Sequence, residues 1–221
     1  FGTVCGGANY IGLSVKIVNR GQIVFGKNVI IRPSTGLYTN PGIMLSIGSN
    51  TEIGNHSTIA AHHKVIIENG VLTGPHVFIT NYNHEYRDVD KPVWEQGEFA
   101  QENSHIIIGE GSWLGTNVVV VGKVRIGKHC VIGANSVVTK DIPDYSVAAG
   151  IPAKVIKKYW ELYNGGKEPV VGNRNALIFD LARSLRAICD YDINVLKLVI
   201  PRYCDLPQEE YEQCLKNAID E

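Results

Sequence analysis

The chain has 221 residues, 44% of them hydrophobic, enough to bury one sizeable core with an appendage. Its 21 basic and 22 acidic residues nearly cancel, which leaves no basic footprint for nucleic acid and no polybasic run for an anionic membrane surface. No stretch approaches the ~20 apolar residues of a membrane helix and the first residues lack the pattern of a signal peptide, so a cytoplasmic location is expected.

Twenty-three glycines against one methionine point to a turn-rich architecture. The five cysteines, Cys5, Cys130, Cys189, Cys204 and Cys214, are odd in number and widely scattered, which predicts reduced and mostly buried thiols.

Along the chain, aliphatic residues recur every six positions. The phase starts at Ile17, Ile23 and Val29, blurs from Arg32 to Gly42, and then runs cleanly through Ile47, Ile53, Ile59, Val65, Val71 and Val77. It resumes at Ile108, Leu114, Val120, Ile126, Ile132 and Val138. Small or β-branched residues sit four places later, at Thr51, Ser57, Ser112, Val118, Val124, Cys130 and Ser136. A period of six fits neither an α-helix nor a long flat strand. It fits a short strand plus a turn, three of which close a triangular coil that stacks on the next through parallel ladders. The fold expected is therefore all-β, a left-handed parallel β-helix over residues 1–158. A β-sandwich would need turns every 8 to 12 residues and gives no strict six.

Between Val77 and Ile108 the pattern lapses, so a loop over about residues 81–104 must leave the coil. It reads NYNHEYRDVDKPVWEQGEFAQENS, rich in charge and aromatics, and long loops on rigid scaffolds are where ligand chemistry is usually placed. After Val155 the repeat ends, and residues 159–221 form a mainly helical extension. Ile178, Leu181, Ala182, Leu185, Ile188 and Cys189 have helical spacing. A last helix is expected near Pro207, with Asp205 and Gln208 placed like a capping box and Tyr211, Leu215, Ala218 and Ile219 on one face. The apolar segment leading to Ile200 fits no element by pattern alone. These helices are expected to cap the coil or brace neighbouring subunits.

With the sixfold repeat, the extruded loop and the stretch SWLGTNVVVVGKVRIGKHCVIGANSVVTKDIPDYSVAAGIPAKVI, the chain resembles the hexapeptide-repeat acetyltransferases. It is most similar to their sugar O-acetyltransferases, from about Gly42 to Lys158. The resemblance implies a homotrimer with active sites between subunits, acetyl-CoA as co-substrate, a small saccharide acceptor and no metal. It puts the general base on His84, at the end of LTGPHVFITNYNH. An imidazole titrating near ~6.5 suits removal of a hydroxyl proton as oxygen attacks a thioester. A coenzyme groove follows from matched positions: Trp113, Gly115 and Thr116 at the thioester end, Ala134 against the pantetheine amides, and Thr139, Lys140, Lys154 and Lys157 towards the phosphates. Lys154 and Lys157 stand where relatives carry arginine.

On the acceptor side the chain departs from the galactoside and maltose enzymes, with His62 where an aspartate would stand. Loop residues suited to a sugar ring are Tyr82, Asn83, Glu85, Arg87, Trp94 and Gln96, with Tyr86 beside them. Glu85 or a backbone carbonyl could orient the His84 ring. An N-acyltransferase acting on a nucleotide-linked amino sugar would use the same fold and cofactor. Two further readings stay open. One is a zinc site like that of the γ-class carbonic anhydrases, since His56, His62, His63, His76 and His84 fall in the middle coils. The other is a non-catalytic scaffold, which would have no need of His84 and Lys140.

Overall fold

A computed structural model describes residues 3–5, 7–99, 104–158, 174–186, 189, 191–200 and 206–220. It contains two compact units, Phe1–Ile156 and Lys157–Glu221.

The first unit is the expected β-helix: among the described residues, twenty short strands in three sheets of six, eight and six strands. As far as the strand Val137–Val138, successive strands lie in different sheets, so every third strand stacks on the same face; Ser146–Gly150 and Ala153–Lys158 then both join the eight-stranded sheet. The inward aliphatics form columns. Phe25, Ile47, Ile67, Ile108 and Ile126 are in register in one sheet, and Leu37, Ile59, Ile79, Val120 and Val138 in another. Both columns are at most 2% exposed, and each such side chain contributes roughly 1.5–3 kcal/mol by leaving water. The small positions four places on, Thr51, Ser57, Ser112, Val118, Val124, Cys130 and Ser136, are buried beside them.

The register also reveals what the sixfold series conceals. Ile59 pairs with Ile79, twenty residues on, whereas Ile108 pairs with Ile126, eighteen on. Two extra residues therefore lie between Ile59 and Ile67, around the corner carrying His62 and His63. The apolar series runs on through Val65 because Val65, two places before Ile67, also points inward. A larger excess at the same corner of an earlier coil, around Asn40, Pro41 and Gly42, accounts for the blurred phase there. The long loop leaves from this corner too, after the strand Phe78–Thr80 and before Ile106–Ile108. All three irregularities thus share one edge of the triangle.

Within the loop, the stem pairs as a short antiparallel ladder: His84 bridges Glu98, and Phe99 N–H donates to Asn83 O at 2.9 Å. One helical turn, α1 (Val93–Gln96), lies at its far end. Residues 100–103 of the predicted loop lie outside the described residues.

The second unit holds α2 (Arg174–Leu185), α3 (Ile193–Val199) and α4 (Gln208–Asp220). Ile178, Leu181, Ala182 and Leu185 are buried as their spacing requires, and so are Tyr211, Leu215 and Ala218, while Ile219 is only half-buried. The apolar segment that no pattern assigned is α3, whose N-cap Asp192 accepts from Asn194 N–H at 2.7 Å. Ile188 and the expected capping residue Asp205 lie outside the described residues, as does Cys204.

Candidate functional site

The irregular corner organises the site. Asn81, the first loop residue, is 6% exposed although polar, and its amide ties the loop to the coil beneath. Its Oδ1 accepts from the backbone N–H of His62 at 2.9 Å and of His63 at 3.0 Å, while its Nδ2 donates to Lys64 O. The two bonds to Oδ1 satisfy corner N–H groups that find no backbone acceptor in the ladder, whereas Lys64 O also accepts from Ile106 N–H at 3.1 Å.

On this base four side chains form a line. Asn40 Nδ2 donates to His62 Nδ1 at 2.9 Å, which puts the hydrogen of the neutral His62 ring on Nε2. The His62 ring packs against Tyr82 with centroids 4.1 Å apart. Tyr82 meets His84 edge-on at 4.9 Å, with its Oη 3.3 Å from His84 Nδ1. Burial lowers the pKa of His62, an effect that Glu98 opposes and His63 adds to, so this imidazole favours its neutral form.

His84 is exposed on the loop stem, and no described residue hydrogen-bonds its Nε2. A cavity of about 220 Å³ at the loop stem is lined by Asn81, Tyr82, Asn83, Phe99, Ser104 and the Val121–Gly122 turn, and His84 itself is not in its lining. Asn83 accepts from His84 N–H at 3.1 Å and so shapes the backbone there.

Of the other predicted acceptor residues, Glu85, Arg87 and Gln96 are occupied in holding the loop together. Glu85 accepts from the backbone N–H of Tyr86 and Arg87 and pairs with the Arg87 guanidinium, whose Nε lies 2.9 Å from Oε1. The arginine holds the Glu85 pKa down at about 2, with the backbone donors adding to the effect. Arg87 also lies over the Phe99 ring at 4.8 Å. Glu85 is therefore committed to Arg87; the group at the His84 ring is Tyr82. Gln96 accepts from Asp88 N–H and donates to the carbonyls of Asp88 and Lys91, so its amide braces the loop. Trp94, on α1, is 79% exposed.

The coenzyme candidates fall into two sets. Gly115, Thr116 and Ala134 share a corner column: a Cβ on Gly115 would lie 2.7 Å from Ala134 N, so only glycine lets the coils close there. Trp113, half exposed, stands outward on the strand before, in register with Leu72 and Val131. Thr139, Lys140, Lys154 and Lys157 are exposed, and their side chains make no hydrogen bond or ion pair among the described residues. The lysines thus remain available to anionic groups.

Histidines elsewhere pair rather than cluster. His56 and His76 stack at 5.1 Å on neighbouring corners, both with positive φ. Among the described residues no three His, Cys, Asp or Glu side chains converge to hold a metal ion. Cys130, Cys189 and Cys214 are in no disulfide, and burial pushes Cys130 up to about 11, which leaves it unreactive at neutral pH. No described helix is long and apolar enough to cross a membrane.

Sequence reasoning missed Asn40, Asn81, Phe99, Ser104 and the Val121–Gly122 turn. A polar residue directly after the last strand before the loop was the available signal for Asn81.

Residues 105–140 match the family described as bacterial transferase hexapeptide (six repeats). The putative lipopolysaccharide biosynthesis O-acetyl transferase WbbJ of Escherichia coli is 36% identical over 147 residues, which cover 65% of this chain and 75% of that protein. A galactoside O-acetyltransferase of Lactococcus lactis is 38% identical over 65% of this chain, a match that takes in 61% of its own length, less than two thirds. Among solved structures, a variant of AntD, an N-acyltransferase from Bacillus cereus in complex with dTDP and coenzyme A, superimposes with a TM-score of 0.62 at 20% identity, over 73% of this chain and 88% of that one, which is a likeness of fold. From the family match within the coil, and from the identity to WbbJ over most of its length, it follows that this chain belongs to the hexapeptide-repeat acetyltransferases.

Proposed function

We propose that the protein transfers an acetyl group from acetyl-CoA to a hydroxyl of a saccharide by direct transfer, with His84 as general base. The observation that carries this is the exposed His84 imidazole on the loop stem, flanked by the cavity-lining Tyr82 and Asn83, with Nε2 free of described partners. The acceptor oxygen attacks the thioester carbonyl as its proton passes to Nε2. The carbon–sulfur bond then breaks, and the imidazolium returns the proton to the departing thiolate. No covalent enzyme intermediate is required, and Cys130 is too weakly acidic to supply one.

Acetyl-CoA is the donor on this reading, with Trp113, Gly115, Thr116 and Ala134 along its pantetheine arm and Thr139, Lys140, Lys154 and Lys157 towards its phosphates. Homologues named for O-acetylation of galactosides and for lipopolysaccharide biosynthesis support a saccharide acceptor. The chain works as a homotrimer with sites between subunits, residues 1–158 carrying the chemistry and residues 159–221 forming a helical extension.

The test is thiol release from acetyl-CoA against a panel of sugars, with each hydroxyl acceptor paired to its amino counterpart. Replacing His84 by alanine is expected to lower kcat by roughly 10²- to 10⁴-fold. A loss below about tenfold would remove His84 as the base, and turnover confined to amino sugars would replace O-transfer by N-transfer.

A further inference from the structure

We infer that Tyr82 is a positioning residue for His84, and that the Asn40–His62–Tyr82 line exists to fix which imidazole nitrogen is basic. The inference rests on His84 being the base. A neutral imidazole has one nitrogen that donates and one that accepts, and its other hydrogen bond decides which is which. For Nε2 to take the acceptor's proton, the ring hydrogen must sit on Nδ1. Tyr82 Oη, 3.3 Å away, is the described group that touches Nδ1, and a phenol oxygen can accept that hydrogen while its own O–H stays turned away from the ring. The edge-on geometry, with ring planes at 79°, keeps the phenol from covering the imidazole face.

A phenol in an exposed loop would swing freely, and an orienting bond of this kind is worth having only where its oxygen is held still. The line behind Tyr82 does this. Its ring lies on His62 at 4.1 Å, and His62 is held at three points: Nδ1 by Asn40, its backbone N–H by Asn81 Oδ1, and its ring by the phenol face. Asn81 immediately precedes Tyr82, so the coil corner and the loop stem are locked to each other. The preference of His62 for its neutral form keeps a cation from the Tyr82 face.

A residue that only packs the loop predicts something different from one that sets the tautomer. Phenylalanine keeps the ring on His62 and removes the oxygen. In the 221-residue chain at pH 8.5, where a free imidazole is deprotonated, the ¹⁵N signals of His84 should report hydrogen on Nδ1. In Tyr82→Phe they should move towards the Nε2–H form, with the signals of His56 and His76 unchanged. Thiol release from acetyl-CoA, with galactosides as the acceptor probe, should show kcat about tenfold lower in Tyr82→Phe and KM within twofold, and no further loss when the change is added to His84→Ala.

Hydrogen on Nε2 in the unaltered protein, or an Nδ1–H form that survives Tyr82→Phe, would overturn the inference. If instead the tautomer follows Tyr82 as stated but His84→Ala keeps its activity, the positioning stands and the general-base reading is what fails.

Discussion

At the scale of single residues, the loop is governed by ionised groups whose partners lie close in sequence. Glu85 receives two backbone N–H groups and the Arg87 guanidinium, and these together bring its pKa from 4.5 to about 2. A carboxylate depressed in the folded state stabilises the fold above its unfolded pKa, and that support is lost as pH falls through the folded value. The window is therefore from about 4.5 down to about 2. Because the group faces solvent, its contribution belongs to the local turn rather than to global stability. The amide NMR signals of Tyr86 and Arg87 should hold their positions from pH 7 to pH 4 and shift only as pH approaches 2. In Glu85→Gln, whose side chain can still accept one bond but carries no charge, they should be displaced at pH 7 already. Signals that shift between pH 5 and 4 in the unaltered protein would contradict the assigned pairing.

At the scale of elements, the sixfold spacing made the coil legible because a short strand and its corner consume a fixed number of residues. The slip between Ile59 and Ile67 was hidden by the same regularity: Val65 is apolar and inward whether it opens a new strand or continues the series. Position on the loop, and the match to family motifs, singled out His84. The contacts of Tyr82 with His62, and of His62 with Asn40, join residues about twenty apart on stacked corners, and only the actual coil pitch brings them together. Likewise α3 escaped notice because its apolar positions are nearly continuous and its signal is one capping aspartate, Asp192. Two substitutions separate what stacking and corner closure contribute. Leu114→Ala empties a site that is 0% exposed, between Thr73 and Ile132, and should cost about 2–5 kcal/mol in chemical denaturation. Gly115→Ala, one residue on, adds a methyl 2.7 Å from Ala134 N and forces the corner apart, with an expected cost of about 1–3 kcal/mol. On the proposed placement of acetyl-CoA, the second change should also raise the KM for acetyl-CoA several-fold, whereas Leu114→Ala should leave it within about twofold. Equal effects on KM would separate Gly115 and Ala134 from the coenzyme groove.

At the scale of the molecule, each unit has a core of its own. The continuous cluster from Ile23 to Ala148 belongs to the β-helix, and its columns run coil to coil. Ile178, Leu181, Leu185, Leu196, Tyr211 and Leu215 are buried within the helical unit, where Tyr211 Oη donates to Ile200 O at 2.6 Å and Arg186 donates to Ala218 O at the end of α4. In a solenoid each coil contacts only its neighbours, so stability is close to a sum of coil and interface terms, and the coils near Leu114 owe nothing to sequence beyond the repeat. A fragment of residues 1–158 is therefore expected to fold. Its far-UV circular dichroism should keep the β-rich signal and lose only the helical component, and it should melt cooperatively with a midpoint within about 5 °C of the full chain. Because the loop, the Asn40–His62–Tyr82 line and all but the last part of the proposed coenzyme set lie in the coil unit, the same fragment should retain the His84 tautomer. A fragment that is unfolded by circular dichroism would show that the helical extension is part of the cooperative unit. One that folds with an altered His84 signal would place a determinant of the site beyond Lys158.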